Sequence, residues 1–509
     1  MTTAPEAPWK RLSPRMLLVH PLQELARMAP ALVAALIAGS AAGGHGDIWT
    51  LAAAALTVAL ALLRWFTTTY RISPELLELR KGLVKRQISS VPTDRVRAVD
   101  LTAHVAHRVL GLTRVTVSTG HSAKAEHEGL RFDALTRAEA ELLRDQLVDA
   151  LRLRTTGAGD VGEDGSGQGE LARMRPGWIR FAPFSLSGFV LLGALAVVLE
   201  ESGFSPSSFG PVDRLVHGLR GAYGPEGVAW GLLAVLAAGL LVNVAEYAVK
   251  HGDFRLTRQE SGTLETSHGL FTVRTVTLEE RRVRGVELRE SLPLRLLGGA
   301  GCVAIATGMR SPRTHVHLVP SGPRGEVVRA ADAVLRDPGP LSATLTGHGP
   351  AARRRRFNRT LVPAVLTFVV LGAGWAHDEV PFGVWCASLL LLLPVAALLA
   401  RDRYTGLGHA LSGSYLVVGR GSLARSRAAL SCDGIIGWNL RRSPFQRRAK
   451  LLTLTATTAG GLRKYVVQDI GDQEALRLVQ GATPGMLAPF LETAGRHRPG
   501  RTETAGACR

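Results

Sequence analysis

The chain has 509 residues, 46% of them hydrophobic, and carries 61 Lys and Arg against 42 Asp and Glu for a net charge of +19. So much apolar and basic residue coexists only by segregation along the chain, which argues against a single soluble globule and points to anionic lipid. The basic residues are spread over the flanks of apolar runs rather than clustered with aromatics, which argues against nucleic acid, and Cys302, Cys386, Cys432 and Cys508 form no C-x-x-C pair, so neither a disulfide framework nor a zinc ribbon is implied.

In chain order, residues 1–27 read as a cytoplasmic segment carrying Lys10, Arg11, Arg15 and Arg27. Residues 28–66 read as a first transmembrane hairpin built from apolar runs at 28–44 and 48–66, since a span needs ~20 mostly apolar residues. The first run is expected to be retained rather than cleaved, because an equally apolar run follows at once. Residues 67–153 then alternate as strands do. Tyr70 and Ile72 begin one strand, Lys81-Gly82 makes a tight turn, Pro92 ends the strand at 83–91, and Val96, Val99, Val115 and Val117 mark two more. A helix starts at Thr136, where Glu139 completes a capping box.

Residues 154–177 read as a flexible linker and 178–249 as a second hairpin with an external loop, from runs at 179–199 and 228–249. A second β domain follows at 250–337, then a basic linker at 338–358 that includes Arg353, Arg354, Arg355 and Arg356. A third hairpin at 359–400, from runs at 361–376 and 380–400, leads to a third β domain at 401–494 and a disordered tail at 495–509. Connectors inside each hairpin are poor in Lys and Arg, and the segments between hairpins are rich in them. By the positive-inside rule both termini and all large loops are cytoplasmic in a multi-pass inner-membrane protein.

The β domains are copies of one another. Lys81-Gly82-Leu83 recurs as His268-Gly269-Leu270 and Arg420-Gly421-Ser422, at offsets of 187 and 339 residues. Val91 falls on Leu278 and Leu430 at the same offsets. The strand at Val115 is expected to match Val303 through one inserted residue, and Leu454 with none. The fold class is therefore membrane α-helical hairpins plus three small, mostly-β PH-like domains, each an antiparallel barrel or sandwich closed by a C-terminal helix.

The run from Tyr70 to Val96, the stretch from Arg108 to Leu112, and Ser443-Pro444-Phe445-Gln446-Arg447-Arg448 resemble the bacterial PH-like domain family of the YdbS/YdbT type of multi-pass membrane proteins. The resemblance covers most of the chain. It implies a PH-like fold, membrane residence, no enzymatic activity and no cofactor, and a role in envelope stress or antimicrobial-peptide resistance.

No nucleotide-binding or hydrolase motif is present in the sequence. His104 with His107, and His315 with His317, lack an acidic or thiol partner at diagnostic spacing, so no metal site is expected. The basic residues around the hairpin turns are the candidates for anionic headgroups: Arg80, Lys81, Lys85 and Arg86 in the first domain, and Arg420, Arg425 and Arg427 in the third. Gly82, Gly269 and Gly421 are the structural turn residues. The function that fits is a membrane-anchored scaffold or adaptor whose partners are membrane lipids and a protein partner or a second copy of itself. The alternative is a six-helix transporter or lipid-handling protein, which the small number of mid-span polar groups disfavours.

Overall fold

Each repeat opens on a hairpin whose turn glycine adopts a backbone that side chains resist. In a computed structural model of the chain, Gly82, Gly269 and Gly421 have φ of 111°, 112° and 96°. A Cβ on Gly269 would stand 2.0 Å from the carbonyl oxygen of Thr272, and one on Gly421 would stand 2.1 Å from that of Ala424. Gly269→Ala is therefore expected to cost roughly 1–3 kcal/mol, the usual range for a forced backbone outlier. A thermal melt of the purified protein checks this: Gly269→Ala lowers the midpoint, and Gly325→Ala, whose added methyl meets nothing within 4 Å, does not.

The structure describes residues 9–17, 51–118 apart from scattered positions that include 83–86, 130–156, 169–184, 225–307 apart from 260–261, and 316–486. The expected span at 28–44, most of the span at 179–199, the external loop and the tail at 495–509 lie outside the described residues.

The N-terminal segment contributes a short strand, β1 (Lys10–Arg11). The first unit then runs β2 (Thr69–Ile72), β3 (Leu76–Lys81), β4 (Gln87–Pro92), β5 (Ala98–Ala103), short helix α1 (Val105–Val109), β6 (Leu112–Ser118), β7 (Leu130–Thr136) and helix α2 (Arg137–Thr156). Thr136 and Glu139 cap α2 reciprocally, with the Glu139 amide donating to Thr136 Oγ1 at 3.3 Å and the Thr136 amide to Glu139 Oε2 at 3.0 Å. Leu143 and Leu147 on its inner face are buried.

The second unit begins earlier than the sequence suggests. Residues 169–173, expected to be linker, form β8 (Gly169–Arg173), which pairs with the unit's first repeat strand. The 3-10 segment Pro176–Phe184 follows, and Trp178 and Phe181 in it are buried against Gly322 and Gly299. Trp178, Phe181 and Ala182 thus pack on the β unit, because two large aromatic rings fit the space beside two glycines. The unit continues through the membrane helix α3 (Pro225–His251), then β9 (Arg255–Gln259), β10 (Thr263–His268), β11 (Val273–Glu279), β12 (Val283–Ser291), short helix α4 (Leu292–Leu296), β13 (Gly299–Ala306), β14 (His317–Pro323) and helix α5 (Arg324–Leu335).

The expected basic linker at 338–358 turns helical at Gly349. Helix α6 (Gly349–Ala376) begins ten residues before the expected hairpin and carries its arginines. At 28 residues it is ~42 Å long, more than the ~30 Å hydrocarbon core, so its basic first turns extend past the apolar stretch. It packs on α7 (Phe382–Ala387) and α8 (Leu393–Thr405), joined by a π-helical turn, with Trp375 and Trp385 stacked at 4.9 Å. By length and composition Leu233–His251, Gly349–Ala376 and Phe382–Thr405 are able to cross a membrane. The third unit is β15 (Gly408–Ser412), β16 (Tyr415–Gly421), β17 (Ala424–Ser431), β18 (Ile435–Arg441), short helix α9 (Pro444–Arg448), β19 (Leu451–Thr458), β20 (Lys464–Gly471) and helix α10 (Asp472–Ala482).

Bulges mark the repeat more sharply than side chains do. The pairing of β6 with β7 shifts between Thr113 and Val115, that of β13 with β14 between Ala300 and Cys302, and that of β19 with β20 between Leu452 and Leu454. These positions keep the offsets of 187 and 339 with no insertion. The equivalent of Val115 is therefore Cys302, not Val303, and Val115, Cys302 and Leu454 are all fully buried. A small buried thiol occupies a core site where the sequence suggests a valine.

The units are not separate beads. Within each, the third and fourth repeat strands belong to different sheets. The sheet order β7-β6-β5-β11-β10-β9-β8 crosses from the first unit to the second, and β14-β13-β12-β17-β16-β15 crosses from the second to the third. Both junctions are antiparallel and share one register: Ala98 faces Leu278, and Gly285, its equivalent, faces Leu430. Two half-sheets remain at the ends, β1-β2-β3-β4 and β18-β19-β20. The hydrophobic cores interlock accordingly, with Val417 and Ala429 of the third unit in the core of the second and Ile305 of the second in the core of the third.

Candidate functional site: an arginine-lined cavity beneath the membrane helices

The second junction is also where a cavity opens. Strands β12, β13 and β14, strands β16 and β17, the start of α6 and the end of α8 enclose a space of about 900 Å³. Glu287, Arg289 and Ser291 reach it from alternate positions of β12, as the two-residue period of a strand requires. Arg356 and Arg359 reach it from one face of α6, three residues apart. Arg403 comes from α8, and Arg420 and Arg425 from β16 and β17. Leu294, Val303, Val319 and Leu407 supply apolar wall.

Six arginines and two carboxylates, Glu287 and Glu290, line this space. Glu287 is buried and accepts from Arg420 Nη2 at 3.2 Å, with Arg289 Nη2 at 3.4 Å. It orients two guanidiniums and neutralises one charge. Arg425 is held by Asp402 Oδ1 at 2.7 Å, an oxygen that also receives Arg295 Nη2 at 2.8 Å. Arg356 is held by Asp469 at 2.9 Å. At the mouth, Arg403 reaches only the Thr360 hydroxyl, at 3.3 Å, among the contacts described. Arg359 is exposed and has no hydrogen-bond or ion-pair partner among the described residues. The balance is positive, and planar guanidinium forks suit phosphate oxygens.

The hairpin turns lie at the helix ends nearby. The Gly269 amide donates to the Gly252 carbonyl at 2.7 Å and the Leu270 amide to that of Val249 at 2.9 Å, satisfying carbonyls that the end of α3 leaves open. Beside these turns, apolar side chains are exposed: Leu270, Phe271 and Leu423 on the turns, and Val109 and Leu296 on α1 and α4. Arg108 Nη1 joins α1 to the neighbouring turn through the Leu270 carbonyl at 3.2 Å, and the Leu292 amide joins α4 to the Leu423 carbonyl at 2.5 Å. An apolar rim thus borders the membrane-helix ends.

The candidates named from sequence are dispersed. Arg420 and Arg425 line the cavity. Arg427 is outside its lining and donates to the carbonyls of Leu341 and Ala343, so it clasps the segment before α6. Arg80 stacks over the Trp9 ring at 3.6 Å, and Lys81 Nζ donates to the Arg131 carbonyl at 3.2 Å. Lys85 and Arg86 lie outside the described residues. Sequence reasoning treated Arg356, Arg359 and Arg403 as topology charges and passed over Arg289. Nothing local marks Arg289, since the cavity joins segments more than a hundred residues apart.

His104 and His107 have ring centroids 5.7 Å apart. Burial, and then Arg114, pushes the His107 imidazole down to about 4. His315 lies outside the described residues and His317 lines the cavity. Among the described residues no group of three His, Cys, Asp or Glu is placed to hold a metal ion.

Two stretches of the chain, residues 25–151 and 358–482, match the family described as Bacterial PH domain. The first match takes in the first β unit, and the second takes in most of α6, all of α7 and α8, and the third β unit. The second unit lies between them, outside both, yet repeats their strand order and bulge. The chain is 19% identical over 447 residues to the UPF0699 transmembrane protein YdbT of Bacillus subtilis (strain 168), which covers 82% of this chain and 85% of that relative. No solved structure matches.

Proposed function

We propose, from the premise that this chain is a membrane protein of the bacterial PH-domain family, that it is a multi-pass scaffold of the inner membrane whose arginine-lined cavity holds the phosphate of an anionic phospholipid. The observation that carries the reading is the coincidence of six arginines with the ends of two membrane-length helices. A lipid whose acyl chains lie beside α6 and α8 would present its headgroup at Arg359 and Arg403. Both termini and all β units are read as cytoplasmic. The basic flanks support this, and so does the shared side of the contacts: α3 and α8 meet their units at their C-terminal ends, and α6 meets its unit at its N-terminal end.

The role is binding rather than catalysis, and the β units would present surfaces to a protein partner close to the leaflet. A transport path has less support, because Asn243 and Tyr247, both on α3, are the buried side chains with a polar group among the described residues of the three spans.

The full-length protein in neutral detergent tests the headgroup reading. Phosphatidylglycerol is expected to raise the thermal midpoint, and phosphatidylcholine is not. Arg359→Gln with Arg403→Gln is expected to weaken phosphatidylglycerol binding roughly 30-fold, at ~1 kcal/mol per arginine, with the wild-type response fading as salt rises. Equal shifts with the two lipids would remove the reading.

A further inference from the structure

The two internal junctions leave their own halves exposed at the ends of the chain. Each junction pairs the fourth strand of one unit with the third strand of the next: β5 with β11, then β12 with β17. The first unit's third strand, β4, and the third unit's fourth strand, β18, are the terminal strands of their sheets, with no strand on their outer side among the described residues. We propose that β18 of one copy of this chain pairs with β4 of a second copy, repeating the internal junction between molecules.

The register follows from the repeat. Leu101 faces Thr275 and Leu288 faces Arg427. Carried along the offsets of 187 and 339, those pairs become Leu440 facing Ile88. Both side chains are exposed, Leu440 at 46% and Ile88 at 56%, whereas Leu288 inside the existing junction is 1% exposed. Ile436, 67% exposed, lies on the same edge strand. Exposed apolar residues on an open strand edge are a template for pairing unless blocked, and neither strand carries a charge directed against it at these positions.

The polar residues change in step. At the first junction Arg274 Nη2 meets Asp100 Oδ2 at 2.5 Å, on diagonal positions of the paired strands. The equivalents at the outer edges are Gln87 and Asn439. Charge is lost from both sides together, so two amides able to bond one another stand where the ion pair stood. Because the turns of the second and third units both lie at membrane-helix ends, continuing the same operation keeps the next copy in the same bilayer. The contact joins unlike surfaces, so it builds rows or closed rings rather than an isologous dimer. This inference does not depend on the headgroup reading.

Full-length protein in native membranes, with Cys386, Cys432 and Cys508 changed to Ser, is the material for the test. Ile88→Cys and Leu440→Cys variants are co-expressed and oxidised with copper phenanthroline. A covalent dimer is expected from the mixture and not from either variant alone, and a ladder is expected from the double variant. Replacing Leu440→Cys by Ile436→Cys, four residues out of register, should lower the yield at least fivefold. Leu440→Lys should lower the oligomer population seen by mass photometry. No dimer from the mixture overturns the proposal, as do equal yields from the off-register pair, dimers from a single variant, or a disulfide closing within one chain. Lipid selectivity measured on the same samples separates this outcome from that of the cavity.

Discussion

Replacing Asp469 by Ala is expected to destabilise the third unit by about 3–5 kcal/mol, the range for removing one partner of a buried ion pair. Asp469 is 1% exposed and receives three side chains. Arg355 donates to Oδ1, Arg356 Nε donates to Oδ2 at 3.0 Å, and Gln446 Nε2 donates to Oδ1 at 2.9 Å. Arg355 and Arg356 come from α6, and Gln446 comes from α9, where it completes a capping box with Ser443. One carboxylate therefore ties a membrane-length helix to the sheet beneath it. Removing it leaves two half-buried guanidiniums on adjacent residues with nothing between them. Hydrogen exchange reads the effect: protection in β18, β19, β20 and α10 should fall by roughly 10²–10³-fold, since ~1.4 kcal/mol is one decade. Asp469→Asn, which keeps an acceptor for Gln446, should fall between. A loss under tenfold in Asp469→Ala would mean that Arg355 and Arg356 act only as topology charges.

Acidification should unfold the chain through two histidines as well as through its carboxylates. His107 and His409 are buried, at 1% and 5% exposure, and each is pushed down to about 4 from an ordinary 6.5. Burial is the largest cause in both. Arg114 adds to it at His107, and His348 adds to it at His409. His348 Nδ1 donates to the Gln468 carbonyl at 2.7 Å, which leaves its Nε2 to accept from His409 Nδ1 at 3.0 Å. The pair is thereby held neutral and tautomerically ordered. Between about pH 6.5 and 4 the unfolded chain binds protons that the folded chain refuses. Stability is full above 6.5 and is lost as pH falls through that window. At pH 5 the loss is roughly 2 kcal/mol per histidine. Unfolding midpoints at pH 7.5 and pH 5 measure it, and His107→Gln with His409→Gln should flatten the difference. An unchanged slope in that double variant would assign the acid sensitivity to carboxylates alone.

The apolar runs at 228–249, 361–376 and 380–400 identified membrane-length helices from composition, because twenty apolar residues have no other stable environment in a chain this charged. The turn glycines, the alternation around Tyr70 and Val115, and the Thr136–Glu139 cap were equally legible, since each is a local rule read over a few residues. The repeat offsets are visible too, although aligning valine with valine inserts one residue before Val303, because the thiol of Cys302 does not look like the side chain of Val115.

What depended on tertiary structure was the partner of each edge strand. Backbone hydrogen bonding carries no residue identity, so β5 can pair with a strand of its own unit or with β11 of the next, and no pattern in 98–103 distinguishes them. The same holds for the cavity. Arg289, Arg356, Arg403 and Arg420 become neighbours only because a sheet crosses a unit boundary beneath two helices, and a sequence read one domain at a time keeps them apart.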